Sequence, residues 1–458
     1  MFKIQIPLAA ALLFQIGGIT AFAETAQPNI VFIMADDLGP GWVDFDGSDP
    51  KINTPNLQRL AESGMVFSKA YSSATVCSPT RASCITGMSP AQIGLTTHIP
   101  GIAGRERVAK GNPSDADTLT ALPLDSPSYA RELKKQGYAT AFIGKWHLAG
   151  EGSQKTKNGI VDDKFHPEHF GFDSNIGGCA YGQPASWFDP YKNGTIKNRK
   201  KGEYLTDRLG DEAVDYIEKH KAVPFHLSLW LYQVHTPIKA PKDLLKKNGG
   251  NAYLAMLESM DMAVGKVLDS LDSNDLRENT MVVFYSDNGG HMPTKWLADK
   301  KGSLLEGGIR VPMAVSWPAV IKSGSETSVP VTTMDFFPTF VHAGGGSTEE
   351  IKQLEGLDLL PLFQGKDKLD RDALFWHYPH NRPDVKYFMG SAILSGGWKL
   401  YQGYGLKEDA LFNIDTDSME KNNVLSENPE LSERLRGRLN KWLKSVDAKF
   451  PDSEKSPR

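Results

Sequence analysis

Cysteine, long apolar runs and an excess of charge of one sign are all scarce in this chain of 458 residues. Its 3 cysteines are an odd number, so at most one disulfide can form and at least one thiol stands apart. Beyond the first residues, no segment approaches about 18 unbroken apolar residues, which excludes a later membrane-spanning helix. The formal net charge is −4, and without a long lysine or arginine run nothing indicates a nucleic-acid partner.

Residues 1–23 have the pattern of a secretory signal peptide. Lys3 supplies the positive end, an apolar run follows, and AFA at 21–23 gives a small-x-small cleavage pattern. A membrane anchor is the alternative, but the run is short and interrupted by a Gly-Gly pair. Because no cysteine for lipid attachment lies near the cleavage point, we expect a periplasmic or secreted protein that begins at Glu24 and has no stable membrane anchor.

Apolar runs rich in β-forming residues alternate with amphipathic helical patterns through the first three quarters of the chain. The strand-like runs are 29–35, 138–144, 225–231, 280–286 and 311–317. Continuous apolar strands between helices indicate a large, mostly parallel or mixed sheet sandwiched by helices. In one helical pattern we predict Thr54 as N-cap, Pro55 as first helical residue and Gly64 as terminator. The sequence therefore predicts an α/β domain over 24–367.

The composition of the chain changes after about residue 365. Residues 386–403 have the pattern of strands joined by a Gly-Gly turn, and residues 429–450 form one amphipathic helical pattern. These features predict a small C-terminal α+β subdomain over 368–458, made of antiparallel strands and a terminal helix.

Polar side chains follow two of the predicted strands. Asp36 and Asp37 end the first, and Asp287 and Asn288 end the run at 280–286. In open α/β sheets, ligands bind at the carboxyl ends of strands, and adjacent buried carboxylates repel unless a cation neutralises them. Asp36 and Asp37 could simply cap the next segment, but the matching pair at a second strand end favours a metal site. Oxygen ligands suit Ca²⁺ or Mg²⁺ rather than zinc.

Cys77 lies in the stretch CSPTR. It could be half of a disulfide, a small buried hydrophobic residue, or a residue with chemistry of its own. Pro79 suits the first turn of a helix, so we predict Cys77 just before a helix N-terminus, where free N–H groups favour an anion. Arg81, one turn later, adds a cation suited to sulfate or phosphate oxygens. We treat Cys84 and Cys179 as structural, and their pairing stays open.

Further cations follow other predicted strands. Lys145 and His147 follow the strand at 138–144, His235 follows the strand at 225–231, and Lys301 precedes a Gly-Gly turn. A single histidine after a strand is more often structural than catalytic. Several cations beside a carboxylate set of the metal-binding type favour a catalytic site.

These blocks together resemble the formylglycine-dependent (type I) sulfatases of the alkaline phosphatase superfamily. CSPTR matches the signature Cys-x-Pro-Ser/Thr-Arg of that family, and ADDLG, GKWHL, HTP, SDNGG and KGSLLEGGIRVP occur in the family's order. The resemblance extends from Asn29 to the terminal helix, and its general character is similar to that of bacterial polysaccharide sulfatases. It implies an alkaline-phosphatase-like fold and a sulfuric ester hydrolase.

The resemblance also implies a role for each matching residue. A formylglycine-generating maturation enzyme would convert Cys77 to formylglycine, whose hydrated form attacks sulfur while held on Ca²⁺. Arg81 would hold the modified side chain, His147 would deprotonate the diol, and His235 would protonate the leaving oxygen. The sulfate clamps would be Lys145 and Lys301, and the calcium ligands would be Asp36, Asp37, Cys77, Asp287 and Asn288.

Three other functions compete with this interpretation. An arylsulfatase of broad specificity would use the same site, whereas a phosphatase or phosphodiesterase on this scaffold would have a serine or threonine nucleophile and zinc. A non-catalytic sugar-binding protein would not need every catalytic block. For substrate we expect a sulfated galactan- or glycosaminoglycan-type oligosaccharide, since the resemblance is to bacterial enzymes acting on galactose-type sugars. Aromatic and polar residues in 182–191 and 375–383 either stack on and hydrogen-bond sugar rings or form packed loops.

Overall fold

The computed structural model describes residues 27–47, 49–99, 113–150, 163–405 and 407–451. The predicted signal peptide, 1–23, and its cleavage point before Glu24 lie outside the described residues. Within the described ranges, no helix is both long enough and apolar enough to cross a membrane.

A mixed sheet of eight strands forms the centre of the molecule, in the order β5-β4-β6-β1-β7-β8-β2-β9. The first five strands in this order, which are β5, β4, β6, β1 and β7, run parallel to one another. β8 is antiparallel to both of its neighbours. Two further strands, β3 and β10, form a small parallel pair. The bounds are β1 Asn29–Ala35, β2 Met65–Phe67, β3 Ala70–Tyr71, β4 Ala139–Gly144, β5 Ser174–Ile176, β6 Phe225–Trp230, β7 Thr280–Ser286, β8 Ala314–Ser316, β9 Ser325–Thr327 and β10 Val331–Thr332.

Helices cover both faces of this sheet, because β1 sends alternate side chains to opposite sides. Phe32 packs in the hydrophobic cluster that includes α4 and α9, and Ile33 packs in the cluster that includes α5 and α7. The bounds are α1 Pro55–Glu62, α2 Cys77–Thr86, α3 Pro90–Ile93, α4 Tyr129–Lys135, α5 Leu205–His220, α6 Lys242–Lys247, α7 Ala252–Ser273, α8 Glu306–Ile309, α9 Phe336–Ala343, α10 Leu360–Phe363 and α11 Pro429–Ser445. The predicted α/β sandwich is confirmed.

The predicted run at 311–317 forms a shorter strand than expected. Only β8, at its centre, joins the main sheet. Val311 instead donates its backbone N–H to the carbonyl of Ala70, and Arg310 forms a bridge with Tyr71. Competition from the β3 segment thus removes the first residues of the run from the sheet.

A second, antiparallel sheet of four strands and a long helix form the C-terminal part. Its strands are β11 Leu374–Tyr378, β12 Gly390–Ser395, β13 Trp398–Gly403 and β14 Ala410–Asn413. α11 packs its apolar stripe against one face of this sheet through Leu435, Leu439 and Leu443. The strand ribbon and terminal helix predicted from sequence are confirmed, whereas the boundary between 367 and 368 stays a prediction.

The other face of the C-terminal sheet packs on the main domain around a buried ion cluster. The Lys399 ammonium lies 3.0 Å from a Glu306 carboxylate oxygen and 2.7 Å from one of Glu420. Glu306 also accepts a hydrogen bond from the Tyr71 hydroxyl at 3.0 Å. Removing one partner of such a buried cluster typically costs about 3–5 kcal/mol, so the two parts of the chain are tightly coupled.

The N-terminus of α1 lies where predicted, but its capping hydrogen bonds come from a distant residue. Pro55 begins the helix and Thr54 is its N-cap residue, but the Thr54 side chain makes no capping hydrogen bond. The cap comes from α7, where the Asp261 carboxylate accepts from the backbone N–H groups of Asn56 at 3.1 Å and Leu57 at 2.8 Å. Burial raises the pKa of Asp261 to about 6 in spite of these hydrogen bonds.

We expect Asp261→Ala to lower the free energy of unfolding at pH 8 by about 2–3 kcal/mol, because it leaves two helix N–H groups without an acceptor. Asp269→Ala is the matched control, since Asp269 also joins α7 to α1 but through an exposed pair with Arg59. That change should cost about 0.5 kcal/mol or less. Urea unfolding measures both, and equal losses would contradict the capping role of Asp261.

Candidate active site

The carboxyl ends of the parallel strands bring the predicted site residues to one edge of the main sheet. β1 pairs with β6 on one side and with β7 on the other, and β4 pairs with β6. The residues that follow these four strands therefore converge, as expected for a parallel sheet. They are Asp36 and Asp37, Asp287 and Asn288, Lys145 and His147, and His235.

Carboxylate and amide oxygens form the centre of this site. The Asn288 side-chain amide donates to Asp37 Oδ1 at 2.8 Å, and the Asp37 backbone N–H donates to Asp287 Oδ1 at 3.1 Å. Asn288 Oδ1 is buried and has no hydrogen-bond partner among the described residues. A buried acceptor without a donor is unusual in a folded protein, and here it lies beside carboxylates.

Cys77 is the first residue of α2, with Val76 as the N-cap residue. The prediction of Cys77 just before the helix is therefore one position off. Its Sγ lies 3.5 Å from Asp36 Oδ1 and 3.9 Å from Asp37 Oδ1. The Lys301 ammonium approaches the same sulfur at 3.1 Å. None of the three cysteines, all in the described ranges, is in a disulfide, so Cys77 is not half of one.

Arg81 is fully buried and bound to other residues of the site. Its Nε and Nη2 donate to Asp287 Oδ2 at 2.9 and 2.7 Å, and its Nη1 donates to the Lys145 carbonyl at 2.6 Å. The guanidinium also lies 5.3 Å from the centre of the Trp230 ring. In this structure Arg81 thus binds the carboxylate of Asp287, whereas the sequence analysis assigned it to sulfate or phosphate oxygens.

Three carboxylates and three cations are buried together here. Lys145 lies 2.6 Å from Asp36, and Lys301 forms an ion pair with Asp37. Burial raises the pKa of Asp36, and the nearby Asp287 carboxylate adds to the effect. Burial would also raise the pKa of Asp37, but the Lys301 ammonium holds it well below its usual range. The site therefore keeps its charges only because they neutralise one another.

Both predicted catalytic histidines have one ring nitrogen on a backbone carbonyl. His147 Nε2 lies 2.6 Å from the Ile99 oxygen, and His235 Nδ1 lies 2.6 Å from the Thr236 oxygen. Because a carbonyl only accepts, each of these nitrogens carries the proton. His147 Nδ1 is buried without a partner in the described part of the chain. Burial lowers the pKa of both imidazoles, so both are neutral at pH 7.

Comparison with known proteins identifies the family. The family model described as Sulfatase matches residues 28–346, and the model described as N-sulphoglucosamine sulphohydrolase, C-terminal, matches residues 295–449. The chain belongs to the sulfatase family. It is an enzyme of that class, in the alkaline phosphatase superfamily.

Individual relatives agree with this assignment. A sulfatase from Formosa agariphila is 30% identical over 91% of this chain and 89% of its own. The N-acetylgalactosamine-6-sulfatase of Canis lupus familiaris is 30% identical over 81% of this chain and 73% of its own. Among solved structures, Ps i-CgsB in complex with k-i-k-neocarrahexaose is 30% identical, with a TM-score of 0.77 over 94% of this chain and 95% of that chain.

A cavity of about 820 Å³ opens above the charged centre of the sulfatase. Asp37, Cys77, His147, His235 and Lys301 line its inner part. Of the other predicted residues, the fully buried Asp36, Arg81, Lys145, Asp287 and Asn288 lie behind this lining. The structure thus brings every predicted site residue into one cluster, with five of them facing the cavity.

The two predicted stretches line the sulfatase cavity with polar and small residues rather than with aromatic rings. Gly182 and Gln183 line it from the first, and Arg382 and Pro383 line it from the second stretch. The rings serve as packing, since Trp187 stacks with Tyr204 and Trp376 lies in the core of the C-terminal sheet. The packed-loop alternative is therefore correct for these aromatic side chains.

Several cavity residues were missed by sequence analysis. They are His98, His291 and Asp384, whereas Arg382 lies in the stretch 375–383 that was predicted to contact sugar. His291 closely follows the predicted Asn288 along the chain, whereas His98 is distant in sequence from every predicted site residue and Asp384 comes from the C-terminal part. No spacing pattern in the sequence predicts a role for Asp384, because only the docking of the C-terminal sheet brings this residue to the cavity.

We expect Lys301→Met to reduce kcat on an aryl sulfate by about 10²–10³, the typical effect of removing one charge-stabilising donor. The neighbouring Lys300 is the matched control, since it lies 4.0 Å from Asp384 and is 31% exposed. Lys300→Met should leave kcat within about twofold of the wild type, because a partly exposed pair contributes little. Circular dichroism checks that both variants fold, and similar kcat values for the two folded variants would contradict a role for Lys301.

Proposed function

We propose that this sulfatase removes an O-sulfate from a sulfated carbohydrate of the galactan or glycosaminoglycan type, through formylglycine at position 77 and Ca²⁺. The observation that carries the proposal is the position of Cys77. Its Sγ lies at the floor of a large cavity, 3.1 Å from a buried lysine and next to two buried aspartates. A cysteine with a purely structural role would not need charged side chains around it.

The residues around Cys77 fit a calcium ion. Carboxylate and amide oxygens dominate the cluster, and Asn288 Oδ1 lacks any other partner among the described residues. Asp36, Asp37, Cys77 and His235 place ligand atoms within 4.8 Å of one another. His235 could suit zinc, but one histidine among several oxygens favours a hard cation. When bound, Ca²⁺ supplies positive charge that lowers the pKa of a neighbouring hydroxyl and orients it for attack on sulfur.

The fixed cations of the chain have two tasks. Lys301, which faces the cavity, binds a sulfuryl oxygen, and Lys145 acts beside it from the buried side. Preorganised donors of this kind stabilise the charge that develops in the transition state. Arg81 holds the Asp287 carboxylate in place through its two hydrogen bonds, and thereby the oxygen cluster on which position 77 is oriented.

The tautomers of the histidines support proton-transfer roles. Because His147 donates through Nε2, its Nδ1 keeps a lone pair that accepts a proton from the hydroxyl at position 77. His235 has its proton on Nδ1, so it acts as an acid only after its Nε2 is protonated. Asp37 Oδ2 lies 3.6 Å from that Nε2 and stabilises the imidazolium. The protonated His235 that donates to the leaving oxygen is thus stabilised by Asp37, a carboxylate of the same cluster.

The carbohydrate class rests on the cavity and on relatives. A cavity of about 820 Å³ is much larger than a sulfate group and is partly lined by polar residues outside the catalytic centre, among them Gln183, Arg382 and Asp384. Among the relatives, one is named an N-acetylgalactosamine-6-sulfatase, and one structure is a complex with k-i-k-neocarrahexaose. A broad arylsulfatase would not need hydrogen-bonding groups at this rim, and hydrolysis rates for carrageenan, chondroitin and aryl sulfates distinguish these functions.

The predicted signal peptide supports a location of this reaction outside the cytoplasm. We propose a periplasmic or secreted enzyme, matured by a formylglycine-generating enzyme that recognises CSPTR. Sulfated polysaccharides are extracellular polymers, so this location agrees with the proposed substrate.

We expect Cys77→Ser to abolish turnover while leaving folding intact. A serine hydroxyl can attack sulfur, but it has no second hydroxyl to expel the sulfate, so a stable sulfo-enzyme should accumulate. In the wild type, mass spectrometry of the tryptic peptide 70–81 should show a loss of about 18 Da, as the thiol becomes an aldehyde. The same peptide of the variant must be checked for unconverted serine.

Cys84→Ser is the control for this experiment. Cys84 is buried on the same helix, so its replacement should affect stability but neither the peptide mass at position 77 nor the turnover of folded enzyme. Fully active wild-type enzyme that carries only unmodified cysteine at position 77 would refute the formylglycine mechanism.

Calcium should stabilise the wild-type protein, and Asp37→Asn should remove most of that effect by deleting an anionic ligand. At a free concentration about 100 times Kd, the stabilisation should be about 2.7 kcal/mol. Thermal unfolding in calcium and in EDTA measures it for each variant separately. Asp46→Asn, which changes a half-buried carboxyl outside the cluster, should keep the calcium effect. Stoichiometric zinc in the purified enzyme, or an undiminished calcium effect in Asp37→Asn, would disprove the assignment.

A further inference from the structure

A second cavity, of about 540 Å³, lies next to the catalytic one. We call it the Trp296 groove, after its most exposed aromatic residue. Besides Trp296, its walls include Trp42, Lys51, Ile52, Leu254, Met292 and Lys295. The groove was not signalled by the aromatic stretches discussed above, and nothing in the proposed reaction uses it.

The exposed ring of Trp296 is held in place by the fold. Gly41 has a φ of +86°, and a Cβ at this position would lie 2.2 Å from the indole carbon Cζ2. Only glycine permits this conformation together with so close a contact. The Trp296 carbonyl accepts a hydrogen bond from the Ser418 hydroxyl at 3.1 Å. Even so, Trp296 remains 38% exposed and Met292 40% exposed. Because both line the same cavity, they form a candidate apolar contact surface for a ligand.

The groove and the catalytic cavity adjoin along one segment of the chain. His291 lines the catalytic cavity, and the next residue, Met292, lines the Trp296 groove. Consecutive Cα atoms are about 3.8 Å apart, so the two cavities share a wall. This wall is fixed to the catalytic centre, because the His291 backbone N–H donates to the Asp37 carbonyl at 3.2 Å.

The chemistry of the groove matches a sulfated sugar. Indole rings stack on the apolar C–H face of a pyranose, and an ammonium group binds a sulfate ester. Two lysines of the groove are exposed. Lys295 is 81% exposed and lies 3.2 Å from Asp49, and Lys51 is also exposed. The volume falls in the range of about 300–1,000 Å³ that is typical of small-molecule sites, which favours an oligosaccharide over a protein partner.

We propose that the Trp296 groove binds distal sugar residues of a sulfated oligosaccharide whose scissile sulfate ester lies at position 77. The inference rests on the carbohydrate substrate proposed above. It makes the enzyme selective for chain length, because a monosaccharide or aryl sulfate fills the catalytic cavity without reaching Trp296.

The test compares matured wild type with Trp296→Ala on three substrates: an aryl sulfate and sulfated carrageenan oligosaccharides of two and six sugars. We expect the variant to lose about tenfold in kcat/KM on the hexasaccharide, mainly through KM, as one aromatic stacking contact is lost. The aryl sulfate and the disaccharide should be unaffected, and Trp296→Phe should restore most of the loss. Val223→Ala, an exposed apolar residue just before β6 at the opposite edge of the sheet, is the control. An equal loss on all substrates, or none on the hexasaccharide, would overturn the proposal.

A binding measurement separates this proposal from the proposed function. Titration of the hexasaccharide into the non-hydrolysing Cys77→Ala variant, with and without Trp296→Ala, reports on the groove alone. If the wild type hydrolyses no oligosaccharide but binding depends on Trp296, the groove binds sulfated sugars, while the substrate proposal and the part of the groove in turnover both fail. Binding that does not depend on Trp296 overturns the groove proposal. A change of oligomeric state in Trp296→Ala, measured by light scattering, would assign the groove to a second copy of the chain and would also overturn it.

Discussion

Mutual neutralisation of buried charges is the constraint on which this active site depends. Asp36, Asp37 and Asp287 would each be very unfavourable alone in the interior, and so would the lysines and the arginine that face them. Each charge is therefore tied to a partner on a different segment, as Arg81 on α2 is tied to Asp287 after β7. The same network that makes the site chemically active also fixes the relative positions of the strands and of α2.

The parallel sheet explains why such a network can form at this edge. Along β1 the side chains alternate between two hydrophobic clusters and are almost fully buried, so the strand itself has no place for a charge. Polar residues are tolerated only where the strand ends. Because β4, β6, β1 and β7 run in the same direction, their ends lie side by side, and four separate segments supply one site.

Local sequence patterns were sufficient for features that are local in the structure. The runs at 29–35 and 280–286 coincide with β1 and β7, and the polar residues after them converge as expected. Sequence patterns were insufficient where a distant segment determines the local structure. Asp261 caps α1 from 205 residues further along the chain, and the β3 segment takes the start of the run at 311–317. The sequence of 182–191 is compatible with aromatic rings that face a ligand. Tertiary packing, which the local sequence does not reveal, buries them instead.

The C-terminal part belongs to the active site in physical terms, whatever boundary is drawn in the sequence. Glu306, held by the buried Lys399, lies five residues after Lys301 in the same segment. Arg382 packs so closely over Gly302 that a Cβ there would lie 2.5 Å from its Nε. The segment that carries Lys301 is thus held between the main sheet and the C-terminal sheet. A change that loosens the C-terminal sheet must therefore displace the catalytic lysine as well as the rim of the cavity, so stability of that sheet and turnover are coupled.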